Sequence, residues 1–206
     1  MWLLTYNVLV LGGFIFVLFW YAWFHDREKH PENQQILLFG FMATMAGLLA
    51  ARTLALTLPF RERPFHNDLI HFKIPYGTNP SALMGWSSFP SDHAVVFFCL
   101  ATTLWFVSRW LGVIAFLHAI FVVALPRIYC GIHYPTDILA GAVLGIGFAC
   151  LGKITALRQA ATRPILTRMD SHADVFYGAF FFCTFELAEL FNSVRKVLSY
   201  GLHIVK

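Results

Sequence analysis

Apolar runs alternate along this chain with short polar stretches, and they recur at lengths suited to a bilayer rather than to a globular core. The first, Trp2 to Phe24, carries no charge and, at about 1.5 Å per residue, can cross a hydrocarbon layer of about 30 Å. It lacks a basic leader and a small-residue cleavage site, so it reads as a retained helix. A polar hairpin from His25 to Asn33 leads to a second run, Ile36 to Leu58, with Arg52 inside it. A third run, about Ser91 to Val107, turns at Ser108-Arg109 into a fourth, Trp110 to about Leu125. Both are short for a span, which suits helices whose outer ends stop at a polar cavity below the membrane surface. The fifth, about Pro135 to Leu151, holds Gly141, Gly145 and Gly147 among alanines, a spacing that lets helices approach closely. Lys153, Arg158, Arg163 and Arg168 then form a basic connection to an aromatic-rich pattern from Ala173 to about Phe191. That last pattern is expected to span, although Glu186 and Glu189 also suit an interfacial helix. The whole predicts an all-α, polytopic transmembrane helical bundle with five to six spanning helices. It reads as one domain over residues 1–206 with its core at about 36–151, without internal repeats.

Composition supports the same class. Of 206 residues, 58% are hydrophobic and 13% charged, which excludes an ordinary soluble domain. The isoelectric point near 9.0 invites a nucleic-acid partner, but the basic residues are scattered through short loops, where charge reports topology. The bilayer is therefore the expected partner, and no nucleic acid is. If every run crosses, Arg27, Lys29, Arg109, Lys153, Arg158, Arg163 and Arg168 share one side. They outnumber Lys73, Arg195, Lys196 and Lys206 on the other, with Arg52, Arg61, Arg63 and Arg127 set apart as intramembrane or site residues. The positive-inside rule makes the richer side cytoplasmic and turns the polar clusters outward. Cys99, Cys130, Cys150 and Cys183 have neither metal-site nor disulfide spacing and read as small packing residues.

Candidate chemistry sits at the edges of the apolar runs. Arg127 to Asp137 places a cation, the His133 imidazole and a carboxylate in one window, with Pro135 preset for a first helical position and Asp137 in the first turn. A histidine just outside a helix N-terminus, with a guanidinium nearby, suits a bound phosphate. The bland alternative is an ion pair of Arg127 with Asp137 and a histidine at the membrane surface. Pro90-Ser91-Asp92-His93 repeats the design at another helix start, and Arg61-Glu62-Arg63-Pro64 adds two guanidinium groups. Arg52 is either functional or snorkelling to the nearby surface. The long Pro59 to Ser88 connection carries Phe60, Phe65, Tyr76, Leu83, Met84 and Trp86 and reads as a loop packed at the interface. His66 and His71 within it read as surface histidines, and His118 as a hydrogen-bonded interior residue.

These three clusters resemble the type 2 phosphatidic acid phosphatase family of membrane lipid phosphatases. Its third motif, Arg, five residues, His, three residues, Asp, is matched by Arg127, His133 and Asp137, with Pro126 where the family usually has Ser. The second, Pro-Ser-Gly-His, stands as Pro90-Ser91-Asp92-His93. The first ends in Arg63-Pro64, but the family's earlier Lys is Leu56, and Arg52 or Arg61 is left to take over its charge. Within the family, Arg63-Pro64-Phe65, Ser91-Asp92-His93 and Gly131-Ile132-His133-Tyr134-Pro135-Thr136-Asp137 look most like the bacterial undecaprenyl pyrophosphate phosphatases. The resemblance implies a lipid phosphatase of a bacterial inner membrane, with its site facing outward and needing no cofactor or metal. His133 would be the nucleophile forming a phosphohistidine, Asp137 would hold the other ring nitrogen, and His93 would be the general acid. Arg63, Arg127 and Ser91 would bind phosphate oxygens, with Arg61 or Arg52 assisting. The alternatives are a phosphatase of phosphatidylglycerophosphate, phosphatidic acid or lipid A, a lipid phosphotransferase, or a non-catalytic lipid-binding or transport protein.

Overall fold

The computed structural model describes residues 9–25, 30–75 and 83–191, and among them the secondary structure is helical with no strand. Helices α1 (Phe14–Phe24), α2 (His30–Thr57), α3 (Asp92–Val107), α4 (Arg109–Leu117), α5 (Leu125–Tyr129) and α6 (Pro135–Cys150) follow the predicted runs. A π-helical stretch, His118–Ala124, joins α4 to α5 into one rod. The last two helices are α7 (Thr155–Ser171) and α8 (Ala173–Ala188). The first seven residues of the predicted first span, together with Arg27, Lys29, Tyr76, Arg195, Lys196 and Lys206, lie outside the described residues.

Among the described residues three segments are long and apolar enough to cross a membrane: Pro31–Thr57, Arg109–Tyr129 and Pro135–Lys153. Asp92–Val107 is shorter, and its position explains why. α3 packs against α1, α2, α4 and α6, and its side chains from Ala94 to Leu104 are largely buried. A helix walled in by protein need not match the thickness of the lipid around it. Ser91 starts it by accepting a hydrogen bond from Ala94 N, and the extended backbone at Ser108 ends it.

α3 and α6 meet through the small residues anticipated from their spacing. A Cβ on Gly141 would sit 2.8 Å from Ala94 Cβ, and one on Gly145 would collide with the Val95 backbone; Gly147 faces open space and belongs to no contact. α8 lies antiparallel to α1 in an aromatic seam. Trp23 lies 5.0 Å from Phe180 and 6.0 Å from Phe176, and at the other end Gly12 leaves room for the Ala188 backbone. His118 is interior as expected, with Nε2 2.8 Å from Val10 O and its ring stacked on Phe14 at 4.8 Å.

Two sequence expectations change. The basic connection after α6 is a helix, α7, most of whose side chains are exposed while Thr162 and Met169 turn inward. Its Ala, Leu, Gln and Arg residues are good helix formers, and a polar surface hides a helix from a hydropathy reading. α7 begins beside the end of α6 and delivers the chain to the start of α8 beside Trp23, so both its ends lie at the end of the bundle away from Asp92. The cysteines also divide: Cys99 and Cys130 are buried packing residues, whereas Cys150 and Cys183 are exposed on helix surfaces.

Candidate active site

Loop chemistry draws the three polar clusters together at one end of the bundle. After α5 the chain reverses at Gly131, whose φ of +68° is a left-handed conformation that side chains disfavour. A Cβ there would also lie 2.6 Å from the Phe72 ring, so glycine is required on both counts. The reversal is held by Ile132 N and His133 N donating to Arg127 O at 3.0 and 3.3 Å. Phe65 N donates to Gly131 O at 3.1 Å, Ser88 N to Arg61 O at 2.9 Å, and Ser91 N to Asp137 O at 3.1 Å. Main-chain bonds thus stitch the loop before α3, the start of α3 and the turn before α6 into one unit. Pro135 occupies the first turn of α6, and the Asp137 carboxylate accepts from Tyr134 N at 2.8 Å, closing that helix start.

A cavity of about 430 Å³ opens at this unit. Arg52, Arg63, Arg127, His93 and His133 all line it, together with Asp92. Its remaining wall includes Leu11, Leu48, Phe97, Leu190 and Phe191. The cavity therefore has a cationic half and an apolar half, as an anionic head with a hydrocarbon tail would require. Arg63 is buried and donates through Nη1 to Ile132 O at 2.8 Å; Arg127 is buried and donates to Val123 O at 2.9 Å. Arg52 pairs with Asp92 and lies 5.0 Å over the Trp86 ring.

The ring of His133 is oriented from behind. Its Nδ1 lies 2.9 Å from Ser88 O, and a carbonyl can only accept, so the proton sits on Nδ1. Nε2 then carries the lone pair, and it lies 3.4 Å from Arg63 Nη1. The Asp137 carboxylate, expected to hold Nδ1, is 3.6 Å from it and is engaged by Tyr134 N and by Arg61 Nη1 at 2.8 Å each. Burial pulls the imidazole below its ordinary pKa. The nearby Asp137 carboxylate pushes it back up, and the Arg63 and Arg127 charges reinforce the depression.

Two predicted phosphate ligands stand away from the cavity. Ser91 is fully buried and caps α3 through Oγ, and it is not among the lining residues. Arg61 lies behind Asp137, donating also to Thr136 Oγ1 at 3.0 Å and stacking 4.3 Å over the Tyr134 ring. The sequence reading missed the pairing of Asp92 with Arg52 and the Ser88 carbonyl. The Asp in place of the family Gly was the visible signal for the first; a backbone oxygen leaves none. Among the described residues no group of three or more His, Cys, Asp or Glu side chains converges as a metal site would need.

Residues 35–160 match the family model of the PAP2 superfamily. The bacitracin transport permease protein BcrC of Bacillus licheniformis is 35% identical over 88 residues, 43% of this chain and 37% of that protein. Undecaprenyl-diphosphatase BcrC of Bacillus subtilis is 26% identical over 117 residues, 57% of this chain and 56% of the relative. The lipid A 4'-phosphatase of Bacteroides thetaiotaomicron is 39% identical over 85 residues, 38% of this chain and 37% of the relative. The chain thus spans little more than half the length of these relatives, or less. No solved structure matches.

Proposed function

The chain belongs to the PAP2 superfamily, and from that premise we propose that it is a membrane lipid phosphatase acting on undecaprenyl diphosphate through a phosphohistidine. The observation that carries this reading is the orientation of His133, with Nδ1 committed to Ser88 O and the Nε2 lone pair on the wall of a cavity lined by arginines. A neutral imidazole is a competent nucleophile. In the first half-reaction Nε2 attacks the terminal phosphorus, and the bond from phosphorus to the bridging oxygen breaks. His93 gives its proton to that oxygen as the lipid phosphate departs. In the second, His93 takes a proton from water, which attacks the phosphohistidine and releases inorganic phosphate.

Arg63 and Arg127 neutralise the equatorial oxygens, where phosphoryl transfer gains most from preset charge. Arg52, on the cavity wall, takes the place of the family Lys, and Arg61 supports Asp137 from behind. Ser91 contributes by holding the start of α3. The positive charge this chemistry needs comes from guanidinium groups, so the reaction is written without a cofactor. The chain works as one domain in a bacterial inner membrane with this end facing outward, supported by Arg109, Lys153, Arg158, Arg163 and Arg168 lying at the other end.

Purified protein offered undecaprenyl or farnesyl diphosphate, phosphatidic acid, phosphatidylglycerophosphate and a lipid A phosphate tests the assignment. The expected result is the highest kcat/KM for the prenyl diphosphates, with phosphate released and turnover unaffected by EDTA. A tenfold preference for a glycerophospholipid or for lipid A, about 1.4 kcal/mol of transition-state preference, would overturn the substrate while leaving the reaction class. The lipid A arm is included because the Bacteroides relative carries that name.

A further inference from the structure

A second cavity lies at the opposite end of the bundle. α3 runs from the catalytic end at Asp92 to Trp105 and Phe106, about 20 Å away at the rise of an α-helix. There a cavity of about 270 Å³ is lined by Phe39, Trp105, Phe106, Arg109, Lys153 and Arg158 among others. Three cations from separate elements therefore face one space. The Arg109 guanidinium lies 4.7 Å over the Trp105 ring, and Lys153 Nζ lies 4.9 Å over Phe106. A guanidinium stacked on a ring keeps its N–H edges available for an acceptor. Neither cation is in an ion pair among the described residues.

Arg158 is more deeply set. Its side chain is 13% exposed, Nη1 donates to Gly152 O at 2.7 Å, and the buried Nε has no partner among the described residues. Among those residues the carboxylate paired with it, Glu32, is 4.0 Å away and 68% exposed. A buried donor without an acceptor costs free energy unless something supplies one. Snorkelling lysines and arginines that only report topology would not meet around one cavity with an unfilled buried donor.

We propose that this cavity is a binding site for a phosphate group, separate from the catalytic cavity, held by Arg109, Lys153 and Arg158. The phosphate belongs either to the headgroup of an anionic phospholipid, whose glycerol end would rest on Ile36 and Phe39, or to free phosphate.

The test compares wild type with the pair Arg109→Gln and Lys153→Gln, in phosphatidylcholine nanodiscs with and without phosphatidylglycerol. Phosphatidylglycerol retained per chain is counted by native mass spectrometry. Separately, the unfolding midpoint is measured with inorganic phosphate against chloride at matched ionic strength. Neither residue belongs to the catalytic cavity, so farnesyl diphosphate turnover in phosphatidylcholine should stay within about twofold of wild type. Retention of phosphatidylglycerol reduced at least fivefold in the variant assigns the lipid headgroup. A phosphate-induced rise in midpoint that the variant loses, without lipid retention, assigns free phosphate. Binding that the variant keeps in full, or none in wild type, overturns the proposal. If the variant does not fold, a photoactivatable phosphatidylglycerol on wild type decides: labelled peptides around Ile36, Trp105 or Arg158 support the site, and labelling confined to other surfaces overturns it.

Discussion

At the scale of single residues, the chemistry rests on what each side chain's neighbours leave free. In the proposed mechanism, protonating His133 would remove the attacking lone pair, and burial with the flanking arginines holds its pKa below the ordinary 6.5. As pH falls through 6.5 the ring therefore stays neutral, and protonation of His133 should not lower kcat/KM until lower pH. A measured acid limb centred at or above 6.5 would contradict this. His133→Ala should abolish turnover in a protein that still inserts and folds, and near wild-type turnover would sink the mechanism. The two arginines left open by sequence should separate. Arg52→Ala removes a charge from the cavity wall and should lower kcat/KM by about tenfold to a hundredfold. Arg61→Ala acts through Asp137 and should lower kcat with KM nearly unchanged. Reversal of those two patterns, in steady-state kinetics on farnesyl diphosphate, would put Arg61 in the family Lys role instead.

At the scale of elements, the close approaches at Gly141 and Gly145 set how α3, which carries His93, meets α6, which follows the His133 turn. Gly145 lies against the Val95 backbone while Gly147 faces open space. Overpacking a tight contact costs about 1–3 kcal/mol. Gly145→Val should therefore lower the unfolding midpoint in detergent markedly, and Gly147→Val much less; equal shifts would mean that the contact is not what holds the pair. The regular spacing of small residues announced this interface, but it could not say that Gly147 stands outside it. The polar helix α7 was invisible for a related reason. Hydropathy detects burial in lipid, and a helix lying at the end of a bundle need not be apolar. The reversal at Gly131 belongs to this scale too, because it turns α5 back so that Arg127 and His133 share a cavity.

For the whole molecule, orientation and substrate access follow from which end each feature occupies. A single cysteine at His71, in a background without the native four, should react with an impermeant thiol reagent applied from outside. Reaction only after the inner face is opened would reverse the orientation. α8 returns antiparallel to α1 and brings Leu190 and Phe191 onto the cavity wall beside Leu11 and Leu48. The residues just before α1 and just after α8 thus help to shape the apolar half of the site, away from the motifs that carry the chemistry.

The sequence by itself determined the class of protein, the membrane helices, and the residue types needed for phosphoryl transfer. Hydrophobic run length and the chemistry of Arg, His and Asp are properties of the chain before it folds. Tertiary structure decided which of those groups meet. Ser91 went to a helix cap, Arg61 to Asp137 and Arg52 to Asp92, because each polar group takes the acceptor or donor that packing brings near. The orientation of His133 was decided by a main-chain carbonyl at Ser88, an oxygen that every residue carries and that only the folded loop can aim.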